Sequence, residues 1–170
     1  MGEKDLMVQL DQLNSNDVHA SSQAIKSLSA KGQSALPILR NKIQTNDKED
    51  VIAMALVVIG EIGSLAAEAI PEAIAKLNHH NEQIRMAAAL SLVRIGNQSI
   101  PALLDFVREP HTQVALFWAS WALTLIEPSK ASEETDGILI KTEQNTDSLI
   151  ERLAAQEALA KRIGKNLTKS

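Results

Sequence analysis

The chain of 170 residues contains no cysteine and no tyrosine, and aromatic residues make up only 2% of it. The absence of cysteine excludes disulfide bonds, thiolate nucleophiles and cysteine-ligated zinc or iron–sulfur sites. The scarcity of aromatic side chains predicts a core of alanine, leucine, isoleucine and valine. Such a core suits helices that pack closely against one another.

A strong charge of either sign is also absent, because the net charge is only −4 and the 17 basic residues are scattered along the chain. A duplex-DNA binder needs a basic stripe to displace condensed counterions, so nucleic acid is not an expected partner. The polar N-terminus lacks the pattern of a signal peptide, and the longest apolar run, residues 51–60, is too short to cross a bilayer. These features predict a soluble cytoplasmic protein without a membrane partner.

Motifs that carry catalytic chemistry are missing as well. The sequence has no Gly-x-Ser-x-Gly elbow, no phosphate-binding glycine loop and no Walker motif. Three of the seven glycines stand where helices are expected to end. We therefore predict a protein without enzymatic activity, catalytic residues, metal or cofactor.

An internal repeat is present instead. Pro37, Pro71 and Pro101 each follow a small and an aliphatic residue, and an alanine-rich segment begins about a dozen residues after each of them. A period of roughly 30 to 34 residues is typical of stacked helix pairs. Proline fits the first turn of a helix, where its missing N–H costs nothing. Gly32, Gly63 and Gly96 are expected to end helices in the left-handed conformation.

The repeat predicts four helix pairs over residues 1–127. From residue 128 to 145 the chain is polar and rich in turn formers, and we expect a loop there. Residues 146–170 are expected to form a capping helix and tail, whose apolar stripe of Leu149, Leu153, Ala160 and Ile163 packs on the stack. The predicted pairs are 3–14 with 17–31, 34–43 with 48–62, 66–77 with 81–95, and 98–108 with 112–126.

The second helices of two repeats match residue for residue at a spacing of 33. Val51, Ala55, Ile59 and Ile62-Gly63 correspond to Ile84, Ala88, Leu92 and Ile95-Gly96. This pattern resembles the short HEAT-like repeats of bilin lyases and of many small prokaryotic proteins, over about residues 17–127. The resemblance implies an all-α fold, a right-handed α-solenoid of about four helix pairs with a C-terminal capping helix. It leaves the function open, since fold does not fix function.

The second helices are more apolar than one buried face requires, so their concave side is expected to form an apolar floor. Three interpretations of that floor are left open. It binds a protein partner or a second copy of the chain as a homodimer, it is covered by the C-terminal segment, or it holds a small apolar ligand. Arg85 and Arg94 would fix the orientation of a partner. The predicted partner-binding residues are Ile52, Leu56, Arg85, Leu90, Val93, Arg94, Leu116 and Trp121.

Several side chains have a structural alternative. Trp118 is expected to fill space in the last repeat, whereas Trp121 suits either packing or partner binding. The resemblance implies that Arg85 pairs with Glu49 or Asp50 in the turn one repeat earlier, with anion binding as the alternative. His79, His80 and His111 lie in turns near Asp47, Glu49 and Glu82, where solvated polar turns are favoured over a metal site. His19 is expected on the surface.

The predicted function is a non-enzymatic interaction module or scaffold with a concave apolar face. A chromophore-handling subunit similar to bilin lyases is the alternative that the resemblance implies. A nucleic-acid repair role of the kind found in HEAT-like glycosylases is disfavoured by the acidic balance of the chain.

Overall fold

The structure is a computed structural model that describes residues 8–9, 12, 17–45 and 48–167. Within these ranges the ordered segments are α-helices and short 3-10 turns, and no β-strand occurs among them. The predicted helix over residues 3–14 lies almost entirely outside the described residues, as do positions 46 and 47 of the predicted turn. The predicted all-α class is confirmed.

The helices form two layers, and each predicted pair from residue 34 to 126 is present with boundaries shifted by at most four residues. Neighbours pack in the order α1, α3, α5, α7 in one layer and α2, α4, α6 in the other. The bounds are α1 Val18–Ala30, α2 Leu36–Thr45, α3 Glu49–Ile62, α4 Ile70–Lys76, α5 Glu82–Ile95, α6 Ile100–Arg108, α7 Gln113–Ile126, α8 Glu133–Asn145 and α9 Leu149–Leu167.

Polar caps and prolines set where the helices begin. The Asp17 carboxylate accepts from two backbone amides of the first turn of α1, and the Asn81 side chain does the same for α5. Thr112 caps α7 through a single bond. Each cap satisfies amide groups that have no partner inside the helix. Pro71 and Pro101 lie in the first turns of α4 and α6, as predicted.

Glycines end the preceding helices at positive φ, as predicted. The φ angles are 54° at Gly32, 68° at Gly63 and 85° at Gly96. However, Gly63 and Gly96 have ψ angles of −137° and −141°, so they are not in the left-handed helical conformation. Their backbone lies in a region that only glycine adopts readily. At each of the two positions the chain leaves the helix and enters a 3-10 turn that leads to the next proline.

Helices α3 and α5 approach each other closely because small residues meet at their contact. A Cβ atom on Gly60 would lie 3.3 Å from the Cα atom of Ser91. Ala55 and Ala88 are completely buried in the same layer. The hydrophobic core is continuous from α1 to α9 and includes the fully buried side chains of Leu28, Leu39, Leu56, Ile84, Leu92, Phe117 and Trp118.

The predicted loop at residues 128–145 is wrong, because most of it is helix α8. Ser132 and Thr135 form a capping box at its start, with reciprocal side-chain to backbone bonds. Helix α9 follows after a short turn and packs against α8 and α7. The Arg162 guanidinium joins them through the Asp136 carboxylate at 3.2 Å and the carbonyl of Pro128 at 2.8 Å. The C-terminal segment is therefore a further helix pair, and the array continues beyond residue 127.

Residues 49–76 are apolar and long enough to cross a membrane by length and composition, and half of the apolar window is buried. The stretch is not one straight helix, because α3 ends at Ile62 and α4 begins only at Ile70. Both parts contribute buried side chains to the core. The apolar character of this stretch is explained by its place inside the array.

Candidate functional site

Three of the predicted partner-binding residues lie inside the protein. Leu56 is completely buried, and Ile52 and Trp121 are only 4% and 6% exposed. Since a partner cannot reach these side chains on the folded array, the prediction that they form an exposed floor is wrong. The physical reason is that α1 packs on α3 and α9 packs on α7, so these helices are covered on more sides than one.

A narrower apolar surface is left open on α3 and α5. Ala53 and Val57 on α3, and Met86 and Leu90 on α5, are half-buried and pack against the core from outside. Within each helix the two residues are four positions apart and share a face. Between the helices, both Ala53 and Met86 and Val57 and Leu90 are 33 positions apart, the spacing of the repeat. We call these four residues the uncovered row.

The same row continues on α7, but there it is covered. Phe117 and Trp121 stand 31 positions after Met86 and Leu90, and both are buried. The indole Nε1 of Trp121 donates to the Glu157 carboxylate of α9 at 3.4 Å. Helix α9 therefore covers these positions on α7. On α3 and α5, no described residue covers the corresponding positions.

An ion pair marks one end of the uncovered row. Arg94 donates to the carboxylate of Glu61, and both side chains are about two-fifths exposed. These residues are again 33 positions apart and extend the two helical faces by one more turn. Val93 beside them is half-buried, as is Leu116 on α7. Leu90, Val93, Arg94 and Leu116 therefore stay predicted contact residues.

Arg85 has a structural role that differs from the predicted one. Its guanidinium donates to the carbonyls of His79 and His80 at 2.9 and 2.8 Å, and it lies 3.6 Å from the Glu151 carboxylate of α9. The predicted pairing with Glu49 or Asp50 is wrong, because the carbonyls of its own turn direct the side chain toward α9. Its side chain is only 13% exposed. Arg85 thus joins the turn before α5 to the start of α9.

The histidine turns bring together part of the predicted cluster. One atom each of Glu49, His79 and His80 lie within 4.8 Å of one another. His111 is held apart, stacked on Phe106 with ring centroids 3.7 Å apart. The pKa of Glu49 is lowered, first by the hydrogen bond from the Asn81 side chain, and burial lowers the pKa of His79.

Hydrogen bonds within the Glu49 cluster oppose metal binding. His80 Nε2 lies 2.6 Å from one Glu49 oxygen, and the Asn81 side chain lies 2.6 Å from the other. The Nδ1 atom of His79 accepts from the backbone N–H of Asn81 at 3.1 Å. The lone pair of the neutral ring that would bind a metal is therefore already engaged, and the other nitrogen carries the proton. The cluster connects two repeats through direct hydrogen bonds.

The sequence did not lead us to predict the buried carboxylate of Glu72. Glu72 on α4 has a side chain only 4% exposed and pairs with Arg40 on α2 at 2.9 Å. Gln44 donates to the same Oε1 atom at 2.8 Å. Arg40 and Glu72 are 32 positions apart, close to the length of one repeat. This spacing places them in neighbouring helices of the α2, α4, α6 layer and could have revealed the pair from the sequence. This group stabilises the stacking of α2 on α4.

The apolar stripe of α9 points away from the array, contrary to the prediction. Leu149, Leu153 and Ile163 are 66%, 57% and 60% exposed, and Ala160 is also exposed. The helix instead buries its small residues Ala155 and Ala158, along with Glu151. Trp121 of α7 contacts Glu157 of α9, and the small side chains of α9 allow the two helices to pack closely beside this contact. The stripe holds three of the eight large apolar side chains that are exposed among the described residues.

The stacked pairs, with proline at the start of one helix and glycine at the end of the other, define an α-helical repeat array. A family model for HEAT repeats matches residues 36–124, just over half of the chain, and the chain belongs to this family. The match covers α2 to α7 and does not distinguish the bilin-lyase type from other HEAT repeats.

The chain is also similar to the uncharacterized protein SkfG of Bacillus subtilis (strain 168). The two sequences are 36% identical over 141 residues, which make up 83% of this chain and 81% of that protein. The aligned length exceeds the residues matched by the repeat family, so the similarity extends beyond the α2–α7 region.

Proposed function

We propose that this protein is a non-catalytic interaction module that binds an amphipathic helix of a partner protein across the uncovered row. The observation that carries the proposal is the contrast between α7 and its neighbours. On α7 the row is buried under α9, whereas Met86 and Leu90 on α5 remain half-exposed. HEAT arrays present extended surfaces to other macromolecules, which supports the same role.

Helix α9 indicates the chemistry of such a partner. It packs on α7 and α8 through small side chains, Ala155 and Ala158, while Glu157 accepts from an indole at the edge. A partner helix with alanine or glycine on one face would approach α3 and α5 as closely as α9 approaches α7. An acidic side chain at its edge would reach Arg94, whose present partner Glu61 is exposed.

The size of the row suits moderate affinity. Burial of about 300 Å² of apolar surface would contribute about 7 kcal/mol before the cost of association is subtracted. Leu90 and Val93 would supply most of this contact from α5, and Leu116 would meet the partner at the border with α7. Arg85 would contribute indirectly, because its guanidinium already holds a turn and α9.

Affinity enrichment from cell extract, with matched glutamate variants, tests the proposal. Leu90→Glu and Met86→Glu introduce a charge into the row without filling a buried site. Leu65→Glu is the control, since Leu65 is 56% exposed and lies away from the row in the turn before α4. We expect a protein that is retained by the wild type and by Leu65→Glu and is lost by both row variants. A protein bound equally by all four, or none bound by the wild type, would contradict the proposal.

A further inference from the structure

The outward stripe of α9 has the spacing of a helix–helix seam. Leu149, Leu153, Gln156, Ala160 and Ile163 follow one another at intervals of four, three, four and three residues. That alternation keeps all five on one narrow face and is the spacing of paired helices in a coiled coil. The opposite face, with Glu151, Ala155 and Ala158, is buried in the array. Gln156 donates to the Glu143 carboxylate of α8 at 3.1 Å, whereas the four apolar residues of the stripe are exposed. We call this outward stripe the seam.

We infer that this seam pairs with the α9 seam of a second copy of the chain, in antiparallel orientation about a two-fold axis. A two-fold interface uses the same patch on both subunits, so the patch must complement itself when reversed. The stripe meets this condition, because its spacing is nearly symmetric about Gln156, with Leu149 seven residues before it and Ile163 seven after. The leucine end of one helix then lies against the isoleucine end of the other.

Side-chain size supports the same pairing. In the reversed arrangement the large Leu153 comes opposite the region of the small Ala160, which lets the helices approach closely. Gln156 lies at the centre of the seam. One N–H of its amide donates to Glu143 of α8, and the second N–H and the amide oxygen can bond to the symmetry mate. A polar residue within such a seam fixes register and orientation at some cost in stability.

The borders of the seam add apolar surface and bring together one pair of like charges. Ile150 is 45% exposed on one border, and Leu159 is half-buried on the other. Arg152 would face the Leu159 side of the second copy, because equivalent borders meet in an antiparallel pair. Glu157 is the one border carboxylate near its own mate, and it already accepts from Trp121.

The expected strength follows from the size of the contact. The seam from residue 149 to 163 is about 21 Å long at 1.5 Å per residue. Two such faces bury less than about 1,200 Å² in total, which is the low end for specific complexes. The dimer should therefore dissociate on dilution, with a dissociation constant on the order of micromolar. This pairing uses a different surface from the uncovered row, so it stands or falls independently of partner binding there.

Light scattering behind a sizing column tests the inference on the full chain. The subunit mass is 18.4 kDa, and the wild type should approach twice that value as its concentration is raised. Leu153→Glu and Ile163→Glu should keep the subunit mass at every concentration, with the circular dichroism and melting temperature of the wild type. Leu65→Glu, a leucine of equal exposure outside α9, should dimerise normally. A wild type that stays monomeric would overturn the inference, as would dimers that persist in both α9 variants.

Gln156→Leu separates seam pairing from pairing elsewhere. Replacing the central polar residue with leucine should strengthen association at least about tenfold, since an apolar residue suits the seam better. An unchanged dissociation constant would mean that Gln156 lies outside the interface and would overturn the antiparallel arrangement.

Discussion

Glu157 accepts a hydrogen bond from the indole of Trp121, and this contact places α9 over the aromatic part of α7. Trp121 occupies the repeat position of Leu90 on α5 and Val57 on α3. The same position of the repeat is therefore buried on α7 and half-exposed on α3 and α5. The proposed function rests on that difference.

Trp121→Ala should reduce the free energy of unfolding by about 3–5 kcal/mol, because it opens a cavity beneath α9 and leaves Glu157 without its donor. Leu90→Ala, on the uncovered row, should cost only about 1 kcal/mol because its side chain loses less burial. Urea unfolding of both variants measures the difference. Equal and small losses would show that α9 does not cover α7.

Arg40→Ala should destabilise the protein by about 2 kcal/mol, since it removes the charged partner of a buried carboxylate. Gln44 still donates to Glu72, and Arg40 is one-third exposed, so the loss stays below that of a fully buried pair. Glu68→Ala is the control, because Glu68 lies 3.8 Å from the same guanidinium but is 71% exposed. Urea unfolding should show that Glu68→Ala changes the free energy of unfolding by less than about 0.5 kcal/mol.

Gly60→Val should destabilise the array by about 1–3 kcal/mol through overpacking between α3 and α5. Even a Cβ atom at this position would meet the backbone of Ser91 at 3.3 Å and the Arg94 side chain at 3.2 Å. Thermal unfolding detects the change. If the melting temperature is unaltered, the close approach of the two helices is wrong.

Gly137→Ala should instead increase the free energy of unfolding by about 0.5–1 kcal/mol. Gly137 lies inside α8, is exposed, and has nothing within 4 Å of the place a Cβ would take. Alanine favours a helix over glycine by this amount. A destabilised Gly137→Ala variant would argue against a helix at residues 133–145 and in favour of the loop that the sequence predicted.

The repeat was predictable because its signals are local. Gly63 and Pro71, and again Gly96 and Pro101, mark helix ends and starts without reference to the rest of the fold. The spacing of 33 then fixes which residues stack, and the Arg94–Glu61 pair follows it. Such features depend on backbone geometry that only a few residue types allow.

Helix α8 was missed because its sequence lacks a helical apolar pattern. Residues 133–137 are polar and end in glycine, and the buried positions of the helix include Thr135 and Thr142 as well as Leu139. A threonine with a satisfied hydroxyl can serve as a core residue, but periodicity counts it as polar. The Ser132–Thr135 capping box is formed by a threonine in place of the usual Glu or Gln, so the common signature did not reveal it.

The orientation of α9 could not be predicted for a different reason. The larger side chains of an amphipathic helix are expected to face the core, and Leu149, Leu153 and Ile163 fit that expectation. Tertiary packing selected the face with Ala155 and Ala158, which α9 buries where it packs on α7 beside Trp121. Which face turns inward depends on the shape of the neighbouring repeat, which the sequence of α9 does not contain.

Site-specific photo-crosslinking in cells tests whether a partner protein binds across the uncovered row. A photoreactive residue replaces Leu90 on the uncovered row, Leu65 on the exposed turn, or Trp121 beneath α9. We expect a crosslink to another protein from position 90, none from position 65, and a crosslink within the chain to α9 from position 121. If position 90 crosslinks no protein, or crosslinks the same proteins as position 65, a partner does not bind across the uncovered row.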